Sequence, residues 1–407
     1  MKISSRVSDI SESITLKLNA KAVAMSESGK HIYNLTAGQL PFRPMPEFSS
    51  LIRDELDFIR SYQYSPVPGY PELRKKIIAN WEKTRGVSLS DSGVEFDCVV
   101  TNGGKHAVSN IMGTLLDHGD EVIVLAPFWV TYPEIIKFCK GEPKIIYSSP
   151  FDVFKPNLDE IKKNISPRTK AIIINSPNNP TGTHYSDEWM RDFAELMLEN
   201  PHVNIICDEI YFQLFYFDPK PTFYYQSKPE LLARTIIVDG ISKTLASTGL
   251  RLGWVIAPKV LTKAITTLQG QTTSGANSLV QRALVNFDFD LIETYLGPIK
   301  KHLRDNAQTL REVLRENELS HTWYQSTSAF YYLIDFSQTP IMEKFKSSAT
   351  DTADYSPEIC ESLLEEFGVA TVPGVAFGMN NTARMSLVME KEPFREALEI
   401  LMKFLKG

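Results

Sequence analysis

Between Phe96 and Ala257, short runs rich in β-branched residues alternate with longer amphipathic stretches, and nothing else in the chain limits its fold so strongly. Strands joined by helical crossovers make a parallel sheet, because parallel neighbours need a connection long enough to return over one face. The runs are DCVVT (97–101), EVIVLAP (121–127), KIIYSS (144–149), KAIIINSP (170–177), VNIICDE (203–209), TIIVDG (235–240) and WVIAP (254–258). The expected class is α/β, with a mostly parallel sheet flanked by helices. Several runs close on Gly, Pro, Asn or Asp. Open parallel sheets bind ligands beyond the carboxyl ends of their strands, so functional residues are sought there.

After about Asp290 the pattern changes to long charged helical stretches such as KKHLRDNAQTLREVLREN, then FYYLIDF, and finally RMSLVME. This predicts a smaller α+β domain. The first 45 residues hold too little apolar material to fold alone and are expected to pack onto it, which gives a large domain over 46–290 and a small one built from 1–45 and 291–407. The polar stretch SSATDTADYS (347–356) reads as a loop or flap.

Charge narrows the function. Lys plus Arg number 43 against 49 Asp plus Glu, a formal charge of −6, which argues against a general nucleic-acid binder. The four cysteines, Cys98, Cys139, Cys207 and Cys360, form no CxxC pair, so a reducing compartment fits best. The start, MKISSRVSDISES, lacks an export signal's apolar run, and the longest apolar stretches, such as VIVLAPFWV (122–130), fall far short of a membrane span. A cytoplasmic protein with no membrane partner is expected. The seven histidines show no HExxH-like spacing, so no metal is expected.

Four clusters at run ends carry candidate chemistry. TNGGKHAVSN (101–110) takes a strand through two glycines into a helix, where backbone N–H groups can cradle an anion. NSPNNPTG (175–182) and CDEIYF (207–212) close two further runs, the second with Asp208, a carboxylate suited to a cationic ring nitrogen. DGISKTLASTGLRLGW (239–254) sets Lys243 just after a strand and Arg251 eight positions on. A partly desolvated lysine loses its proton and attacks carbonyl carbon, while arginine grips phosphate with two prongs. Taken singly, each cluster also fits ordinary turn chemistry; their ordered conjunction at four strand ends is what carries weight.

With these residues in place, the chain resembles the class I, fold-type I pyridoxal-phosphate aminotransferases over nearly its whole length, from LNAKAVAM to RMSLVME. Within that family it is most similar to the bacterial aspartate aminotransferase branch, through GGK and APFWVTYP. The resemblance implies a fold-type I large domain with a seven-stranded sheet, pyridoxal 5'-phosphate as cofactor, and a homodimer. Lys243 matches the lysine that bonds the cofactor and then shuttles a proton, and Asp208 the partner of its ring nitrogen. Tyr211 and Asn179 match the groups at the ring's phenolic oxygen, and Trp129 the stacking aromatic. Gly103, Gly104, Lys105 and Arg251 match the phosphate cradle, with Gly240 where relatives often have serine. Tyr64 matches a tyrosine reaching the phosphate from the neighbouring subunit. On the substrate side, Arg384 and Gly38 match contacts to the α-carboxylate, with Trp129 and Asn179 beside them. Phe330 reads equally as a pocket wall or a core side chain.

Lys105 favours a dicarboxylic substrate, since the lysine of GGK in that branch reaches the distal carboxylate. The implied reaction is a ping-pong transfer from aspartate to 2-oxoglutarate. Other aminotransferase specificities (aromatic, prephenate, neutral) and a β-eliminating lyase use the same groups. A cofactor-sensing transcription factor on this fold would need a DNA-binding domain ahead of the large one, and only about 45 residues stand there. Gln39, Leu40 and Ser247 depart from the branch's usual residues.

Overall fold

The computed structural model describes residues 3–8, 10–11, 14–346 and 354–407. Its centre is a seven-stranded sheet. The strands are β1 (Phe96–Thr101), β2 (Glu121–Leu125), β3 (Glu142–Ile146), β4 (Thr169–Asn175), β5 (Asn204–Asp208), β6 (Thr235–Gly240) and β7 (Gly253–Pro258), lying in the order β1-β7-β6-β5-β4-β2-β3. Every pairing is parallel except those of β7, which runs against both β1 and β6. The expected runs all became strands. The edge strand β3 starts two residues before its run and leaves the sheet at Tyr147, which is exposed, while Ser148 Oγ donates to the Ala126 carbonyl at 2.6 Å.

The runs are continuous rather than alternating because both faces of the sheet are covered. Cys98, Val100, Ile123, Ile172, Ile174, Ile205, Cys207 and Ile237 face one apolar cluster, while Val99, Val122, Val124, Ile173, Ile206, Ile236 and Val238 face another. Each fully buried branched side chain contributes roughly 1.5–3 kcal/mol relative to leaving it exposed.

One edge of the sheet collects the functional chain segments. The carboxyl ends of β1, β4, β5 and β6 open there, and because β7 runs the other way its amino end, with Arg251 just before it, arrives at the same rim. Further along the chain, Tyr331–Asp335, Val372–Pro373 and Thr382–Ser386 form a three-stranded antiparallel sheet. Tyr33–Asn34 pairs in parallel with Val369–Ala370, and Ala22 packs against Leu364 and Ala370, so the first residues lie against the last part of the chain. The charged stretch after Asp290 forms one helix, Leu291–Glu316. Of the polar segment 347–356, residues 347–353 lie outside the described residues, and a helix runs from Ser356 to Phe367. All four cysteines are free, and no helix among the described residues is long and apolar enough to cross a membrane.

Candidate active site

Beyond the strand ends lies a cavity of about 450 Å³. Ten of the residues singled out in the sequence line it: Gly38, Gly104, Lys105, Trp129, Asn179, Asp208, Tyr211, Lys243, Arg251 and Arg384. They come from positions as far apart as 38 and 384, so the cavity exists only in the folded chain.

At its floor, β5 ends on Asp208 and the neighbouring residue, Glu209, points the other way. Glu209 accepts from Arg85 Nε at 2.7 Å, Trp81 Nε1 at 3.0 Å and the Tyr225 hydroxyl at 2.8 Å. That buried ion pair leaves Asp208 alone to face the cavity, as strand alternation requires. Asp208 accepts from the Tyr132 hydroxyl at 2.5 Å and from the Ile210 N–H at 3.3 Å. Burial raises its pKa to about 6, against the pull of the Tyr132 hydrogen bond.

Lys243 sits on the turn Ile241–Thr244 that follows β6 and is only 8% exposed. Burial lowers its pKa to about 7, with the charges of Arg384 and Arg251 acting the same way and Asp208 opposing. Its amine donates to the Gly38 carbonyl at 2.5 Å. Because folding depresses this pKa from 10.5, the unfolded chain binds more protons between about 7 and 10.5, and stability rises with pH across that window. The apo-protein is therefore expected to gain up to roughly 1.4 kcal/mol per pH unit there, and Lys243→Met to lose that slope. Urea melts of both proteins at pH 7, 8 and 9 measure it, and equal slopes would contradict it.

A cradle for an anion stands at the end of β1. Gly103 has φ 90°, a conformation open to glycine, and a Cβ there would lie 2.8 Å from Arg251 Nη2. Gly253 lies so close beneath the following helix, Gly104–Leu115, that a Cβ on it would stand 2.7 Å from the Gly104 nitrogen. Helix N–H groups, the Arg251 guanidinium and the hydroxyl residues Ser242 and Thr248 thus meet at one corner of the cavity. Gly240 is not on the cavity wall: a Cβ there would meet Gly253 Cα at 2.7 Å, and the hydroxyl residue of this turn that lines the cavity is Ser242.

At the opposite end Arg384 is 3% exposed, between the rings of Tyr331 at 4.6 Å and Phe377 at 5.0 Å. Its Nη2 donates to the Thr36 carbonyl at 2.9 Å and its Nη1 to Asn179 Oδ1 at 3.2 Å, while the buried Nε has no partner. Asn179 is held in turn by its own N–H, which donates to Asn175 Oδ1 at 3.0 Å. The Tyr211 and Tyr331 hydroxyls meet at 3.2 Å. Lys105 lifts its amine over the Trp129 ring, 5.3 Å from the centroid.

The remaining expectations fall elsewhere. Phe330 is fully buried behind the wall, its ring 5.3 Å from the Lys243 amine, and Tyr331 forms the wall instead. Gly103 backs the cradle without lining the cavity. Tyr64 is 92% exposed, near the exposed Ile59 and Tyr62, and does not line the cavity of its own chain. Leu40 is buried in the core, Gln39 is exposed, and Ser247 is tied down by donating to the Leu245 carbonyl at 2.7 Å. Thr15, Tyr132, Asn175, Ser242, Thr248 and Tyr331 line the cavity without having been singled out. Asn175, Ser242 and Thr248 lay inside the run-end clusters, Tyr132 inside APFWVTYP and Tyr331 inside FYYLIDF, each without a role of its own; Thr15 alone arrives from outside every motif. Among the described residues, no group of three or more His, Cys, Asp or Glu side chains gathers as a metal site.

Known proteins share this sequence pattern and this architecture. The sequence pattern of the family described as aminotransferase class I and II matches residues 30–401. The aspartate aminotransferase of Geobacillus stearothermophilus is 32% identical over 413 residues, covering 100% of both chains. A probable aspartate/prephenate aminotransferase of Thermus aquaticus is 32% identical over 98% of this chain and 97% of its own. Among solved structures, the aspartate aminotransferase from Thermus thermophilus with maleate superimposes with a TM-score of 0.88 at 31% identity, covering 100% of each chain.

Proposed function

The chain belongs to the class I and II aminotransferase family, and from that premise we propose that it moves the amino group of aspartate to 2-oxoglutarate, using pyridoxal 5'-phosphate, by a ping-pong mechanism. The observation that carries this is the pairing of a near-neutral buried lysine with a buried arginine whose Nε lacks any partner, both facing one cavity. An amine ready to exchange a proton and a fork ready for a carboxylate are the two things an α-amino acid needs.

The residues fit the cofactor. The glycine-lined corner with Arg251, Ser242 and Thr248 suits a phosphate, and Asp208, across the cavity floor, suits a ring nitrogen. When bound, the group supplies a carbonyl carbon for the amino group and a cationic ring that draws electron density from Cα. Asp208 would face the ring nitrogen and, by its charge, favour a proton there. Trp129 would stack on the ring, and Asn179 and Tyr211 would offer donors to its phenolic oxygen. Arg384 holds the substrate α-carboxylate by two prongs, with the Gly38 segment beside it, which aims the Cα–H at the Lys243 amine. That amine, near neutral and within the cavity, would take the proton from Cα and hold it for return.

Lys105 is the specificity element: its amine stands over Trp129 at the cavity mouth, where a second carboxylate of the substrate would arrive. Maleate, present in the Thermus thermophilus structure, is also a dicarboxylate. Lys105→Met is expected to lower kcat/KM for aspartate roughly 10- to 100-fold, the worth of a charge-assisted hydrogen bond, and to leave alanine and phenylalanine within about threefold. Steady-state rates with the three donors measure this. An equal loss for all three would remove Lys105 from the specificity role.

Tyr64, exposed in the single chain, would complete the phosphate site of a neighbouring copy, which makes the working unit a homodimer. We take the chain as a large unit over 46–290 and a small one from 1–45 and 291–407, on the strength of the Tyr33–Asn34 pairing with Val369–Ala370. Prephenate as acceptor is the second reading, favoured by the double name of several relatives and by its own second carboxylate. The test of the whole is to mix the loaded enzyme with aspartate alone. One equivalent of oxaloacetate per subunit, followed by glutamate on adding 2-oxoglutarate, is expected. No oxaloacetate from aspartate, with turnover of an aromatic donor, would overturn the substrate.

A further inference from the structure

Tyr132 stands outside every role assigned so far, yet of the two hydrogen bonds to the Asp208 carboxylate its own is the shorter, 2.5 Å against 3.3 Å from the Ile210 N–H. It is 1% exposed and lies in the first turn of the helix Thr131–Phe138, where its N–H donates to the Trp129 carbonyl at 3.0 Å. Its ring meets Trp129 edge-on, centroids 5.3 Å apart and planes at 88°. One side chain therefore touches the carboxylate under the cavity floor and the aromatic ring over it.

We propose that Tyr132 is a positioning residue which, through its hydroxyl, decides on which side of the Asp208–ring-nitrogen hydrogen bond the proton rests, and, through its ring edge, sets the plane of Trp129. The inference rests on the assignment of Asp208 and Trp129 to the cofactor ring. A buried carboxylate left to itself takes up a proton, because desolvation penalises the anion. Each donor aimed at it weakens that tendency. Tyr132 and the Ile210 N–H are the two donors, Lys243 acts through space in the same direction, and Glu209 acts against them. With the Tyr132 donor in place Asp208 is the weaker base, and a proton shared with a ring nitrogen stays on the ring. Without it the proton returns to the carboxylate, and the ring loses the charge that draws electrons from Cα.

Tyr132 is suited to such a constant influence. Burial, with Asp208 beside it, holds its own pKa well above the ordinary tyrosine range, so the hydroxyl remains a donor wherever the enzyme works. A purely structural reading, in which Tyr132 only fills the apolar layer with Val124 and Ile136, makes a different prediction, because phenylalanine fills that layer equally well.

The experiment uses full-length Tyr132→Phe and wild type, each loaded with pyridoxal 5'-phosphate labelled with nitrogen-15 in the ring. In wild type the nitrogen is expected to resonate as protonated pyridine at neutral pH. In Tyr132→Phe the resonance should move toward the neutral position, and cofactor affinity should fall roughly 10- to 100-fold, the range for a lost charge-assisted hydrogen bond. Melting of the two apo-proteins controls for folding. On an Asp208→Asn background, Tyr132→Phe should add little further loss of affinity, since the route runs through the carboxylate. An unmoved nitrogen resonance with unchanged affinity overturns the proposal. So does a loss of equal size on the Asp208→Asn background, which would leave Tyr132 as packing. A wild-type nitrogen that resonates as neutral pyridine overturns the Asp208 assignment itself, and this inference with it.

Discussion

Lys243→Ala is expected to lower transamination of aspartate by at least about 10⁴-fold while the chain still folds and still takes up pyridoxal phosphate. The loss is large because one amine does two things that nothing else in the cavity can do. It is the nucleophile that bonds the cofactor, and it carries the proton between the two carbon atoms that exchange it. General acid–base catalysis alone supplies roughly 10²–10⁴ in rate, and losing the covalent attachment adds to that. No neighbour can replace it. Arg384 is tied to Thr36 and Asn179, Arg251 stands at the anion cradle, Lys105 stands over Trp129, and Tyr211 is a donor whose pKa burial holds well above its ordinary value. Affinity for the cofactor should fall less than the rate, because the phosphate corner and Asp208 remain. Borohydride treatment followed by peptide mass analysis should find the cofactor on the Lys243 peptide in wild type and on no peptide in the variant. Single-turnover mixing with aspartate gives the rate, and a wild-type rate in Lys243→Ala would end the assignment.

Much of this site is legible in the sequence, for a reason that lies in the sheet. Both of its faces are buried, so its strands read as unbroken β-branched runs whose ends are easy to locate. The groups at those ends, Gly104, Asn179, Asp208, Lys243 and Arg251, lie within a few residues of a run and inherit its visibility. Where no run points to a residue, the sequence is silent. Thr15 reaches the cavity from the helix Ile14–Glu27, with its hydroxyl buried and unpartnered, and nothing in ITLKLNAKA marks which face turns inward. Phe330 and Tyr331 show the limit of pattern reading most plainly. Adjacent residues at the start of a strand point to opposite sides, and when both are aromatic the pattern cannot tell which one faces the ligand. The structure answers with Tyr331, whose hydroxyl meets that of Tyr211. Gly240 does not line the cavity, and its close approach to Gly253 is something that only the antiparallel register of β6 and β7 reveals.

Arg384 gives the second large effect, and its stability should move opposite to its activity. A guanidinium that is 3% exposed, with no carboxylate of the described residues paired to it and a buried Nε lacking any acceptor, is held at a cost of several kcal/mol. Such a charge persists in a fold when a ligand compensates it. Truncating one partner of a buried charged pair costs roughly 2–5 kcal/mol of binding, so Arg384→Met should lower kcat/KM about 30- to 5,000-fold. The loss should be alike for aspartate, alanine and phenylalanine, because all present the same α-carboxylate. That uniformity separates Arg384 from Lys105, whose replacement is expected to touch dicarboxylates alone. Arg384→Lys should recover little: an ammonium keeps the charge but lacks the planar fork that reaches Thr36, Asn179 and a carboxylate together. The apo form of Arg384→Met, in contrast, should melt above wild type, since an unpaired buried cation has been exchanged for an apolar side chain of similar length. Calorimetry on the apo-proteins and kcat/KM on the loaded ones measure the two halves. A less stable variant would mean that Thr36, Asn179 and the flanking rings already compensate Arg384 within the fold, and a loss of activity that differed among the three donors would mean that it does not hold the α-carboxylate.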